Sequence, residues 1–281
     1  MKTLVLLSCV ALATSFSHAE EQPVDDAAIQ KSFLRQILEL RDEGKSLKVA
    51  ALRRELRKEK RGVSIPDLIE PATTKLSSQD SYHTNKKATL IVGHIYLCDS
   101  CDEWHTNLAG GVVITPGGVA VTNYHVLDFD HAAQFAAMDE SGRLFPIEKV
   151  LASDRKADLA VIQLETDSSL AAAPLAIESS TGDPITVVSH PDAHFFTFTS
   201  GRISRFSIDP RSRARRVEIT ATFARGSSGS GIFDEFGNLV GIVSETNSIH
   251  YEEDNRARRN LQMVIHSGVP TSSLRELLEG E

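Results

Sequence analysis

Three short islands in this 281-residue chain hold residues whose types can do chemistry together. Val121-Thr122-Asn123-Tyr124-His125-Val126 ends a β-branched run in a histidine. Ala157-Asp158-Leu159-Ala160-Val161-Ile162 places an acid in front of an apolar run. Gly226-Ser227-Ser228-Gly229-Ser230-Gly231 is a tight Gly/Ser loop before Ile232-Phe233. A serine hydroxyl is a weak nucleophile until a base takes its proton. Histidine does this near neutral pH, and a buried carboxylate fixes its tautomer and stabilises the imidazolium. Glycines beside the serine let backbone N–H groups point at the oxygen of an attacked carbonyl. Each island alone has a plain reading: a structural His, a turn Asp, a loop. Occurring together in the order His, Asp, Ser, they read as one acyl-transfer site.

The elements that must position them are strands. After residue 87 short β-branched runs follow one another, at 88–97, 111–115, 119–122, 159–164, 185–189, 197–203, 217–222 and 239–244. Turn signals separate them, as at Pro116-Gly117-Gly118. Helical periodicity returns only at 271–278, where Thr271 is the expected cap. Closely spaced short strands argue an all-β barrel or sandwich, and the 195 residues of this body suffice for two small barrels.

Before the body, residues 25–61 read as helix, with Ile29, Phe33, Ile37 and Leu40 at helical spacing and Gly44 as a break. Residues 41–62 hold nine Lys/Arg against four Asp/Glu, net +5 in a chain of net charge −8. A basic amphipathic helix can lie on anionic membrane; the preferred reading is a stripe packed on the body or on a partner subunit. Residues 63–86 read as a linker, so the extension spans 20–86. At the start, Lys2, an apolar core of about ten residues and Ser17-His18-Ala19 make a secretory signal with cleavage after Ala19. The run is too short to span a bilayer, so a soluble exported chain without a membrane anchor is expected, periplasmic or secreted. The acidic balance disfavours a general nucleic-acid binder.

On these motifs the sequence resembles the trypsin-like, chymotrypsin-fold serine proteases, and more closely their bacterial HtrA-like branch. Thr122-Asn123-Tyr124-His125-Val126, Asp158-Leu159-Ala160-Val161 and Arg225-Gly226-Ser227-Ser228-Gly229 match the three motifs, separated by 33 and 70 residues, and Thr199-Ser200-Gly201-Arg202-Ile203-Ser204 matches the strand before the last of them. The resemblance covers about 87–275. It implies two antiparallel six-stranded β-barrels, joined near 166–174, with the site between them and no cofactor. Ser228 is then the nucleophile, His125 the base, Asp158 its orienting partner, and the N–H groups of Gly226 and Ser228 the oxyanion hole. Thr222 would floor the primary pocket, Ser244-Glu245-Thr246 would pair with substrate backbone as an added strand, and Met263 would narrow the pocket. Cleavage after small or medium apolar residues is expected, with activity falling below about pH 6 as His125 takes a proton. Two departures stand out: Ser230 replaces the family's usual Gly, and no PDZ module is expected after the second barrel. The implied activity is endopeptidase hydrolysis of exported or misfolded proteins. The alternatives are a silent protease-fold binding module and an esterase using the same triad. By the same resemblance, the N-terminal helices are candidates for homo-oligomer contacts.

Cys98 and Cys101 lie between the first two strands. In an oxidising compartment the simplest reading is a local disulfide with no bound metal. A zinc site of His94, Cys98, Cys101 and His105 competes with it, as does a redox pair, although the βαβ setting of redox Cys-x-x-Cys motifs is absent. Trp104 is the expected apolar anchor of this loop.

Overall fold

The structure, a computed structural model, describes residues 22–44, 48–253 and 258–280. The leader expected over residues 1–19 lies outside them. Helix α1 (Asp26–Glu43) starts where the Asp25 carboxylate accepts from the Ala28 N–H at 2.9 Å and stops at Gly44, which is left-handed (φ 65°). Helix α2 (Val49–Leu56) follows and ends five residues before the expected limit. Their stripes pack on the chain's own body. Phe33, Ile37 and Leu40 meet Ile91, Ile95, Met138, Phe195 and Phe196. Leu52 and Leu56 join a core that contains Leu90, Leu127 and Phe135. Burying each such side chain contributes roughly 1.5–3 kcal/mol. The basic stretch is met by acids of the body: Arg53 lies 3.2 Å from Asp128 and also bonds Asp130, and Arg61 pairs with Asp154. The apolar stripe of this segment is thus spent on the chain's own body. Any oligomer contact it makes would have to use its polar face.

Helix α3 (Ser78–Ala88) occupies part of the stretch read as linker. Ser77 caps it, accepting from the Asp80 N–H at 3.1 Å. Its buried face is polar: Ser81 and Asn85 bond each other at 3.0 Å and both reach the Thr186 hydroxyl. An apolar-periodicity reading has nothing to find there.

Two closed barrels follow, and closure leaves neither with an open sheet edge around its circumference. The first comprises β1 (Thr89–Leu97), β2 (Trp104–Val113), β3 (Val119–Thr122), β4 (Gln134–Met138), β5 (Leu144–Asp154) and β6 (Leu159–Leu164), with the one-turn helix α4 (Tyr124–Leu127) after β3. Its strands close in the order β1-β2-β3-β6-β5-β4. The second comprises β7 (Pro184–Ser189), β8 (Thr197–Ile208), β9 (Arg215–Ile219), β10 (Gly231–Asp234), β11 (Leu239–Glu253) and β12 (Arg258–Pro270). It closes in the order β10-β11-β12-β9-β8-β7. All pairings within the barrels are antiparallel. The all-β, two-barrel expectation holds. Ile91-Val92-Gly93-His94 is ordinary β1 strand, buried throughout.

A shared core fixes the two barrels to each other. Val112, Val121, Leu159 and Val161 of the first pack with Phe233, Leu239, Ile242 and Val269 of the second, and with Leu274 and Leu277 of α5 (Thr271–Glu279). Thr271 is not the cap of α5. Pro270 holds that position, and the Thr271 hydroxyl donates to Leu239 O at 2.7 Å, tying the helix to β11. No helix among the described residues is long and apolar enough to cross a membrane.

Candidate active site

His125 sits in α4, directly after β3, and Asp158 sits directly before β6. Because β3 pairs with β6 through Thr122↔Ala160, the register brings the two residues together although 33 positions separate them. Asp158 is left-handed (φ 69°), which turns its carboxylate back toward α4. That carboxylate accepts from the His125 backbone N–H at 3.1 Å, from His125 Nδ1 at 2.9–3.0 Å and from the Ser244 hydroxyl at 2.8 Å. Asn123 Nδ2 donates to the Asp158 carbonyl at 2.9 Å and holds the turn from behind. An Nδ1–H bonded to carboxylate leaves Nε2 as the free base. Burial pulls the His125 pKa down, but the bond and charge of Asp158, with Glu245 adding to them, outweigh it and leave His125 above its ordinary value. That direction moves the acid limb of any reaction using this base upward in pH.

Ser228 lies on the loop between β9 and β10. Its carbonyl accepts from the Gly110 N–H of β2 at 2.6 Å, so the loop is moored to the opposite barrel. Its hydroxyl donates to Ser244 O at 3.3 Å. Ser244 is thus a bridge, with its carbonyl at the nucleophile and its hydroxyl on Asp158. Among the described residues the Ser228 hydroxyl bonds Ser244 O and not His125, and nucleophile–base bonds are often loose before substrate arrives. Ser228, Gly226 and His125 line one cleft of about 230 Å³ together with Leu108, Ala109 and Phe129.

Gly226 is left-handed (φ 87°), and a Cβ there would come within 2.7 Å of His190 O, so only glycine fits. His190 is the wall behind this loop. It is fully buried, its Nε2 donates to Leu90 O at 3.0 Å and its Nδ1 accepts from the Phe196 N–H at 3.1 Å. Among the described residues, no protein acceptor takes the backbone N–H of Gly226 or Ser228. Ser230 has its explanation in β2: a Cβ on Gly110 would fall 2.1 Å from Ser230 Oγ. The missing side chain of Gly110 makes the space that the hydroxymethyl group of Ser230 fills, and the buried Ser230 hydroxyl has no hydrogen-bond partner there.

Ser244, Glu245 and Thr246 lie where β11 has lost one neighbour. Pairing with β10 ends at Ile242, whereas pairing with β12 runs on to Glu253. One edge of 244–247 therefore faces a second cleft, which His125 and Asp158 also line. Thr222 is exposed, its carbonyl accepting from the Thr199 hydroxyl at 2.9 Å. Met263 is not at this wall. It pairs with Ile249, three rungs beyond Thr246, and is 58% exposed. The residue opposite Thr246 is His266, which is buried and lies edge-on to Phe223 at 4.8 Å. Burial holds the His266 pKa below its ordinary value. Neither residue stands in a local motif; only the strand register exposes them.

Cys98 and Cys101 are free thiols. Trp104 does anchor their loop, with the Arg41 guanidinium of α1 stacked over its ring at 4.3 Å.

Comparison with known proteins finds likenesses in sequence and in fold. Residues 109–242 match the family model of the trypsin-like peptidase domain. The serine endoprotease DegS of Escherichia coli K12 is 28% identical over 153 residues, 53% of this chain and 41% of that protein. The periplasmic serine endoprotease DegP of Salmonella typhimurium is 31% identical over 141 residues, 48% of this chain and 29% of that protein. The chain thus spans less than half the length of these curated relatives. Among solved structures, the HtrA-type protease AlgW with a tripeptide superimposes with a TM-score of 0.57 at 21% identity, over 73% of this chain and 64% of that one. That likeness shows the fold. Residues 109–242 are thus similar to the trypsin-like peptidase domain, and the curated relatives that share this similarity are the DegS and DegP serine endoproteases.

Proposed function

We propose that this chain is a serine endopeptidase acting on exported or misfolded proteins, in the periplasm or outside the cell. The observation that carries the reading is the Asp158 carboxylate, which binds His125 Nδ1 on one side and the Ser244 hydroxyl on the other, while the carbonyl of the same Ser244 holds the Ser228 hydroxyl. One residue thus ties base, acid and nucleophile together across the two barrels.

The reaction follows from the atoms. An extended substrate adds to the free edge at Ser244–Thr246, which lays its carbonyl carbon over Ser228 Oγ. His125 Nε2 takes the hydroxyl proton as Oγ attacks, and Asp158 stabilises the imidazolium. The negative oxygen is received by the N–H groups of Gly226 and Ser228. The imidazolium then protonates the leaving amine, giving an acyl-enzyme, and water repeats the sequence to release the acid.

The Phe223–His266 contact closes the inner end of the wall opposite Thr246, and Thr222 offers no charge to a basic side chain. Small or medium apolar residues before the cut follow from both. The test is digestion of unfolded casein by the wild-type chain and by Ser228→Ala, with the cut sites mapped. Cleavage by the wild type alone, after residues such as Ala or Val, supports the reading. Equal cleavage by Ser228→Ala refutes it. Turnover of simple esters without any protein cleavage would establish the esterase alternative instead.

A further inference from the structure

The turn that joins β1 to β2 carries chemistry that peptide hydrolysis does not use. Cys98 Sγ, Cys101 Sγ and a ring nitrogen of His105 all lie within 4.8 Å of one another. Cys101 Sγ is 3.1 Å from His105 Nε2. The backbone makes this convergence. Cys98 N–H donates to Glu103 O at 2.9 Å, Asp102 N–H donates to Cys98 O at 3.0 Å, and Asp102 is left-handed (φ 52°). The Cys-x-x-Cys segment is thereby folded back on itself beside the first rungs of the hairpin. His105 is held by its cross-strand partner Tyr96, on which its ring stacks at 5.7 Å and 25°.

His94, the fourth ligand that spacing alone offers, is elsewhere. It is buried and stacked on Phe129 at 4.4 Å, with Phe135 at 5.0 Å. The turn itself is partly exposed, which leaves a fourth position to solvent. Zinc binds sulfur at about 2.3 Å and imidazole nitrogen at about 2.0–2.1 Å in a tetrahedron, which puts the donors about 3.6–3.8 Å apart. The three donors of this turn need shifts of about an ångström or less to reach that geometry.

We propose that Cys98, Cys101 and His105 form a zinc site whose fourth position is taken by water. Binding replaces the two thiol protons: one Zn²⁺ enters, two protons leave to solvent, and the two thiolates balance the charge of the ion. The ion closes the turn without a disulfide. Trp104 under Arg41 ties the closed turn to α1. In the other direction β2 runs from His105 to Gly110, whose N–H holds the carbonyl of Ser228. The site goes beyond the protease reading and does not depend on it.

The test is metal titration of the full chain, purified under reductant and stripped with chelator. Cobalt(II) should bind once per chain, with sulfur-to-cobalt charge transfer and tetrahedral d–d bands, and zinc should displace it. Cys98→Ser, Cys101→Ser and His105→Phe should each weaken zinc binding by about tenfold or more, with circular dichroism unchanged because the turn lies outside the core. His94→Phe should bind as the wild type does. Two results would overturn the proposal: a chain isolated without reductant that holds a Cys98–Cys101 disulfide and takes up no cobalt after reduction, or zinc binding that survives all three ligand substitutions.

Discussion

Helices α1 and α2 wrap the first barrel, whereas the second, touched by α3 and α5, ends in an uncovered ribbon. Helices α1 and α2 cover strands of the first, burying Phe33, Ile37, Leu52 and Leu56 completely or nearly so. The second instead extends outward as the β11–β12 ribbon, where Ile249, Tyr251, Leu261 and Met263 are exposed by 42–78%. Chemistry divides the same way. The wrapped barrel holds His125 and Asp158, fixed by four hydrogen bonds among α4, Asn123 and Ser244. The open barrel holds Ser228 on a loop and presents the substrate-facing edge. Proton transfer needs a base and an orienting acid held in one geometry, whereas the nucleophile loop and edge must accept a variable chain. In this fold the acid–base pair is built on the rigid side.

Substitutions on the two sides should differ accordingly, and the largest effect falls on the acid–base pair. Asp158→Asn leaves the shape intact but presents an amide to Nδ1 and favours the wrong tautomer. It should cost kcat about 10⁴-fold, measured on a peptide ester to avoid differences in substrate unfolding. Next comes the wrapping itself. Phe33→Ala should destabilise by about 3–5 kcal/mol through the cavity it leaves, whereas Ile249→Ala on the ribbon should stay within about 0.5 kcal/mol. Urea titration of both variants reads the contrast directly, and equal losses would dissolve the distinction between the two regions.

How far this division could be read from the amino acids varies with the kind of signal. The convergence of His125, Asp158 and Ser228 could be expected because each sits in a compact string with its own supporting residues: Asn123 before His125, an apolar strand after Asp158, glycines around Ser228. The α1 stripe was legible because its apolar residues recur at helical spacing. Helix α3 was not, because its buried face carries Ser81 and Asn85, which reach Thr186 across 105 and 101 positions. Strands β4 and β5 were passed over because Gln134–Met138 is alanine-rich and Leu144–Asp154 is broken by charges. The ribbon was cut short at 244 because beyond it β11 pairs only with β12, both faces are open, and no alternation of apolar residues is required. His266, Ser244 as a bridge, and the fit of Ser230 against Gly110 are products of register between distant strands, and no local motif announces them.

Smaller effects come from buried histidines and from charge at the cleft. Burial holds His94 and His190 at about 4, whereas an unfolded chain titrates them near about 6.5. Between these values the unfolded state binds the extra protons, so stability is full above the upper value and falls as pH drops toward the lower one. His94→Phe, which keeps the stack on Phe129, should flatten part of that fall in a series of thermal melts from about pH 7 to pH 4. A slope identical to wild type would show that His94 does not titrate on unfolding. The smallest effect is at Glu245, whose charge raises the His125 pKa across a half-open cleft. Glu245→Gln should move the acid limb of kcat/KM to lower pH by a few tenths of a unit, an amount that salt should erode.

The central claim, that one hydroxyl is activated by a base on the opposite barrel, is tested most directly by covalent labelling. The chain is treated with a fluorophosphonate, digested and mapped by mass spectrometry, beside Asp158→Asn and Ser244→Ala. The account predicts a single adduct on Ser228, formed orders of magnitude more slowly in Asp158→Asn and measurably more slowly in Ser244→Ala. An unlabelled Ser228 in the folded wild-type chain, or labelling at the same rate in Asp158→Asn, would contradict it.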